Sequence, residues 1–549
     1  MEKKKYWQTV GELNDSEGYK KLSADEFQED LPFAENDGKG LMDLKSPRRD
    51  FLKYLGFSTA AATLAASCEM PVRKVVPYLN KPEELIPGVA NYYATTFLEG
   101  GDAIPAIAKV RDGRPIKIEG NELSSITHGG TTARMQASVL GLYDTSRLRF
   151  PMADGKEVST FDAFDKMVAA AMGSANGSVV LLTATNNSPS TKQIITDFLA
   201  KNPGGRHIQY DGFSSSGLLQ ANELCYGKRV IPAYHFESAK VVVSLGADFL
   251  GTWLKTVEYA RQYTSTRKIN PEHAEMSKHI HFESMLSLTG ANADERYIHR
   301  PSESGAIALN LLAKLGGSAT APAITDEKLK KGIDLAATML SANKGQALVV
   351  SGSNDVNEQI VVNAINEAIG SNGKTIDWAN PLQIRQGVDA EFVQLIQDMK
   401  DGKVGTLLIS NANPVYNHPL AEQFKAALKN VKVSVSFNER LDETTELCKF
   451  VVPQHHFLES WGDAEPRLGY FSLLQPTIAP IFKTRYVQTS LLKWGGLGTD
   501  YESYFKNFWL SKLGNQENFD KALQDGVVEP AALPVEAGAA YNGASLADA

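Results

Sequence analysis

Two loops of this sequence place amide and carboxylate side chains directly after apolar runs that read as strands. In SNANPVYNHP, residues 410–419, Asn411 and Asn413 follow the run GTLLIS. Ligands of open α/β sheets sit outside the carboxyl ends of the strands, so these amides and the nearby backbone N–H groups are candidates for contacting a nucleotide or pterin. Asn and Pro also shape turns, and on local chemistry alone the turn is the simpler reading. SLGADFLGT puts Gly246 and Asp248 in the same relation to a strand, with the same alternative. Neither loop has the GxGxxG spacing of a dinucleotide-binding turn.

A third stretch, QHHFLESWGDAEPRLGY at 454–470, combines His455, His456, Glu459, Asp463 and Glu465. Imidazole and carboxylate are both metal ligands. Adjacent histidines, however, point to different sides of a strand, and HExxH spacing is missing, so a loop that closes the sheet is the stronger expectation. The three cysteines, Cys68, Cys225 and Cys448, are far apart and form no CxxC pair. They cannot supply a four-thiolate metal or iron–sulfur site, and Cys225 and Cys448 read as small buried hydrophobes. No GxSxG or GxxxxGK[ST] motif is present, so hydrolase and phosphate-transfer chemistry have no anchor.

SPRRDFLKYLGFSTAAATLAASC, at 46–68, pairs Arg48 and Arg49 with Phe51, Leu52 and Lys53 ahead of a short uncharged run. This is the layout of a twin-arginine export signal, which serves proteins that fold before they cross the membrane. The run from 54 to 68 falls short of the roughly 20 apolar residues that span a bilayer. LAASC resembles a lipobox displaced by one position, so acylation of Cys68 stands beside the simpler reading of an unprocessed signal.

These candidates need a frame to hold them. With 549 residues the chain has room for three or four compact units at about 100–200 residues each. A net charge of -8 argues against nucleic acid as a partner. Residues 1–45 read as a polar arm and 46–70 as the signal-like segment. Residues 71–155 form a small β-rich unit, in which alternating apolar residues flank Asp112-Gly113 as a hairpin. It is followed by a helix in TTARMQASVLGLYD. From 156 to 485, buried runs at 178–185, 240–247, 346–353 and 405–412 each precede an amphipathic helix, and VKVSVSF follows at 431. This alternation predicts a doubly wound α/β architecture with mainly parallel sheets in two layers. Residues 486–549 read as a helical segment and then, from 532, an Ala/Gly/Pro-rich linker.

The order of these pieces resembles the molybdopterin oxidoreductases of the dimethyl sulfoxide reductase type. VRDGRPIKIEGNE followed by GGTTARMQASVLGLYDTSRLRFP is similar to that family's opening domain. SNANP is similar to its nucleotide-side loop, and DETTELCKFVVPQHHFLESWGDAEPR to a later strand and turn. The resemblance also marks departures. Where many members carry cysteines for a four-iron cluster, this chain has Phe97 and Thr132. The family's closing β-barrel would have to fit in the roughly seventy residues after 480, fewer than a small domain needs. A bis-pterin cofactor is therefore not expected, since large cofactors need most of their surface buried. Neither is a cluster, a catalytic residue or a metal ligand, and Asn411, Asn413, Gly246 and Asp248 become vestiges of a cofactor site.

One branch of the family fits this combination: the molybdoenzyme-like half of the iron–sulfur subunit of bacterial alternative complex III. That resemblance implies a non-catalytic scaffold at the periplasmic face of the inner membrane, peripheral and part of a hetero-oligomer. Its expected partners are a ferredoxin-like iron–sulfur unit, fused or separate, c-type cytochrome subunits, and integral-membrane subunits that bind quinol. Electrons would pass from quinol to cytochrome c or a terminal oxidase. Two alternatives remain open: an active molybdopterin subunit whose site another chain completes, and a cofactor-free nucleotide-binding module.

Overall fold

The computed structural model describes residues 86, 88–99, 101–269, 274–531 and 537–549. Arg48, Arg49, Phe51, Leu52, Lys53 and Cys68 lie outside the described residues. Three antiparallel strands, Ala90–Glu99, Asp102–Arg111 and Arg114–Gly120, build the first sheet. The last two are joined through Asp112 and Gly113, both at positive φ (51° and 73°), the two-residue turn whose twist matches the strands. The helix Ala133–Leu142 packs Met135, Val139 and Leu142 onto this sheet.

The largest sheet has seven strands. Five of them run parallel in the order Phe450–Pro453, Val433–Asn438, Val404–Ser410, Ser178–Thr183, Arg206–Gln209. The inner strands are mostly apolar because helices cover both faces, and every residue of Val404–Ser410 is buried, whereas the edge strand Arg206–Gln209 (RHIQ) buries only Ile208. The chain moves outward in opposite directions from the central pair Val404–Ser410 and Ser178–Thr183, so the crevice between their carboxyl ends is a topological switch point. A second parallel sheet has the order Glu295–Ile298, Lys278–Glu283, Val241–Leu245, Ala347–Ser351. The expected α/β architecture in two parallel layers with a small β-rich unit is thus the fold, and among the described residues no closed barrel occurs.

A five-stranded antiparallel sheet, which the apolar runs do not signal, adds Gly462–Arg467, Tyr470–Leu474 and Ile376–Leu382 to two edge strands. Beyond 486, the helices Val487–Trp494 and Tyr501–Leu513 bury Leu491, Tyr501, Phe505 and Trp509 in the same core as Val433 and Phe437 of the seven-stranded sheet. The final segment, whose composition reads as a linker, lies against the second layer. Asn372 exchanges two hydrogen bonds with the Ala539 backbone (2.9 and 2.7 Å), Asn542 N donates to Cys225 O at 2.6 Å, and Tyr541 packs on Tyr226. Small residues let the backbone approach closely there, so the contact has no apolar periodicity to announce it. Among the described residues no helix is long and apolar enough to cross a membrane.

Candidate functional site

At the switch point of the seven-stranded sheet lies a crevice of about 460 Å³. Four strand ends contribute to its wall: Thr183 and the loop to Ser188, Ser410 with Asn411, Glu439, and Gln454 with His455. Asp102 enters from the first sheet, and Trp461, Asp463 and Tyr486 close the far side. Asn411 therefore stands where the strand-end rule puts it, exposed and at a positive φ of 54°. Asn413 does not line the crevice. Its Oδ1 accepts from Thr444 N and Oγ1 (3.2 and 2.7 Å) and its Nδ2 donates to Glu443 at 2.8 Å, so it ties two loops together.

Gly246 and Asp248 belong to the other parallel sheet. Asp248 Oδ1 accepts from Thr289 N and Oγ1 (3.0 and 2.8 Å), anchoring a short helix. At the corresponding switch point the two strand-end loops touch through their backbones, since a Cβ on Gly352 would come within 2.4 Å of the Gly246 carbonyl.

The stretch rich in His and carboxylates splits by side. His455 and Asp463 line the crevice, whereas His456 and Glu459 turn away. His456 Nδ1 accepts from Leu458 N, and Glu459 takes Arg147, His456 N and Ile481 N. Asp463 is fully enclosed. Ser188 and Ser190 donate to its Oδ1, and Trp509 Nε1 donates to its Oδ2 at 2.7 Å. Burial raises its carboxyl pKa against the pull of those donors. Glu465 accepts from Gly469 N and closes a turn. Among the described residues, no group of three or more His, Cys, Asp or Glu is placed to hold a metal ion.

The residues match neither cofactor of the resembling family. Phe97 sits at 4% exposure, edge-on to Phe457 at 5.7 Å, and Thr132 Oγ1 caps the helix Ala133–Leu142 by accepting from Met135 N at 3.1 Å. A phenyl ring in a core and a capping hydroxyl supply no thiolate for iron. In the crevice, a pyrophosphate-bearing pterin needs free N–H donors and cations. Four N–H groups of the strand-end loop and the helix after it are already committed within the protein: Thr185 N donates to Asp211, Asn186 N to Gln209, Ser188 N to Asn186, and Thr191 N to Ser188. The charged side chains in the wall are Asp102, Glu439 and Asp463, without any Lys or Arg.

Cys225 and Cys448 are free and buried, and neither lines the crevice. Sequence reasoning missed Asp102, Asn186 and Glu439. Glu439 had a signal, because it directly follows the strand Val433–Asn438 and the strand-end rule applies to it as to Asn411.

Burial also shapes the pH response. Desolvation lowers His207, His455 and His456 from 6.5 to about 4, and His279 to about 3. A base with a depressed folded pKa binds fewer protons folded than unfolded, so its stability contribution is complete above pH 6.5 and is lost as pH falls toward the folded value. Each shift of this size is worth roughly 3 kcal/mol. The urea midpoint is expected to fall steeply between pH 6.5 and 4, and an asparagine at any one of these four positions to flatten that fall.

No protein-family model matches the chain. The structure of acetylene hydratase from Pelobacter acetylenicus superposes with a TM-score of 0.58, covering 81% of this chain and 75% of that one at 13% identity. The chain thus has the molybdopterin-oxidoreductase fold, mixed α/β with parallel sheets. Among curated proteins it is 26% identical over 506 residues to the menaquinone reductase, molybdopterin-binding-like subunit, of Nitratidesulfovibrio vulgaris (strain Hildenborough). That match covers 82% of this chain and 72% of the relative.

Proposed function

We propose that this chain is a non-catalytic scaffold in a membrane-associated, quinone-linked electron-transfer complex of the alternative complex III type. In this reading it holds a ferredoxin-like iron–sulfur unit and c-type cytochrome subunits against integral-membrane subunits that bind quinol. Neither molybdopterin nor an iron–sulfur cluster belongs to the chain itself. The reading is carried by one observation: the fold is kept while Phe97 and Thr132 occupy positions expected to bear thiolates. The name of the curated relative, a molybdopterin-binding-like subunit of a menaquinone reductase, supports the quinone-linked context. Fold alone does not confer activity, so the chemistry is assigned to the partners.

Metal analysis of the complex captured through a tag on this chain tests the proposal. Iron and haem are expected in the complex, with molybdenum and tungsten far below one atom per chain. Stoichiometric molybdenum would favour the active-enzyme reading, in which another chain completes the site. The nucleotide-module reading predicts guanine or adenine nucleotide released on denaturation.

We place the chain at the periplasmic face, exported folded through the twin-arginine pair. Arg48→Lys with Arg49→Lys is expected to keep the protein in the cytoplasmic fraction on cell fractionation. Export at the wild-type level would remove the assignment.

A further inference from the structure

Glu439 stands in the crevice wall beside a buried ion pair with an uneven charge count. The side chains of Arg147 and Glu459 are both at 0% exposure. Arg147 spends its two terminal nitrogens on Glu459, at 3.1 and 2.6 Å, and one of them also on Leu142 O at 3.0 Å. Only Nε remains. It lies 3.6 Å from Glu439 Oε2, beyond hydrogen-bonding reach, and has no other partner. One cation thus faces two carboxylates, and the second receives no hydrogen bond.

The neighbouring groups do not restore the balance. Arg440 directs its Nε to Asp144 Oδ2 at 2.9 Å. His455 and His456 are held neutral at pH 7 by burial. The Glu439 side chain keeps 27% exposure and forms part of the crevice lining, so a proton has a route to solvent.

We propose that Glu439 is the proton-exchange group of this crevice, holding a proton until a cationic group enters and then releasing it to solvent. The bond broken is the carboxyl O–H, and the proton goes to water. The electrostatics agree with the geometry. Burial is the largest influence and pushes the carboxyl up to about 7, Glu459 adds to the rise, and Arg147 and Arg440 oppose it. An entering cation adds the hydrogen-bonded attraction that Arg147, 3.6 Å away, does not give. The inference is independent of which complex the chain serves.

Infrared difference spectroscopy of the full chain during a pH titration tests it through the C=O stretch of protonated carboxyls. A band titrating near neutrality is expected in the wild type and in Asp463→Asn, and not in Glu439→Gln. Methylguanidinium is expected to move the wild-type midpoint down by roughly half a pH unit relative to equal sodium chloride. Survival of the band in Glu439→Gln, or equal midpoints in the two salts, would overturn the proposal.

Stability gives a second measurement. An acid with a raised folded pKa binds more protons folded than unfolded between 4.5 and about 7. The wild type should therefore lose stability relative to Glu439→Gln as pH rises through that window. A difference that is flat with pH would also overturn the assignment.

Discussion

Replacing Arg147 by methionine is expected to lower the unfolding free energy by about 3–5 kcal/mol, the range for removing one partner of a buried ion pair. The charge left behind decides the size. Glu459 would keep backbone donors from His456 and Ile481, both at 2.9 Å, but lose two guanidinium hydrogen bonds with no solvent to replace them. Arg147→Met with Glu459→Gln removes both charges and is expected to recover a large part of the loss. Urea unfolding of the four proteins in this cycle gives the coupling energy. If the double variant is no more stable than Arg147→Met, the uncompensated charge is not the cause. The geometry also predicts an effect at the crevice, since Arg147 is the cation nearest Glu439. Its loss should raise the pH at which the Glu439 carboxyl titrates.

The parts of this molecule that the sequence makes legible are those in which local composition and long-range pairing agree. VVLLT, VVVSL, ALVVS and TLLIS are apolar apart from Ser and Thr because each lies in a sheet covered on both faces, and each is followed by a helix. Asp112-Gly113 announces its hairpin because the turn itself requires positive φ. The antiparallel sheet is hidden for the opposite reason. GDAEPR carries two carboxylates, an arginine and a proline, yet is a buried strand, because Ser188, Ser190 and Trp509 satisfy Asp463 while Glu258 pairs with Arg467. Those partners lie far away in the chain, and no window of sequence contains them. The crevice divides in the same way. Asn411 follows from a rule about strand ends, whereas Asp102 reaches the wall only because the first sheet docks beside it.

Trp509→Ala is expected to cost about 3–5 kcal/mol, the range for truncating a fully buried aromatic. Trp509 is at 0% exposure and sits edge-on to Phe471 at 5.5 Å, joining the helix Tyr501–Leu513 to the strand Tyr470–Leu474. Its indole N–H is also one of the donors that hold Asp463, so truncation removes a hydrogen bond to a buried carboxyl as well as packing. Trp509→Phe separates the two contributions. It keeps most of the apolar area, and its cost should be about 1–3 kcal/mol, that of a buried acceptor deprived of one partner. In both variants Asp463 should hold its proton to higher pH, because the lost donor favoured the charged form. Thermal unfolding gives the energies, and the infrared carboxyl band that Asp463→Asn removes reports the titration. A phenylalanine variant as unstable as the alanine one would assign the effect to the hydrogen bond. Equal titration in wild type and Trp509→Phe would show that Ser188 and Ser190 hold Asp463 by themselves. The helix is thus expected to brace the crevice wall from behind, through Trp509 on Asp463 and through Tyr501, whose hydroxyl lies 2.9 Å from Ser190. The helices Val487–Trp494 and Tyr501–Leu513 therefore belong to the same mechanical unit as the strand-end loops they support.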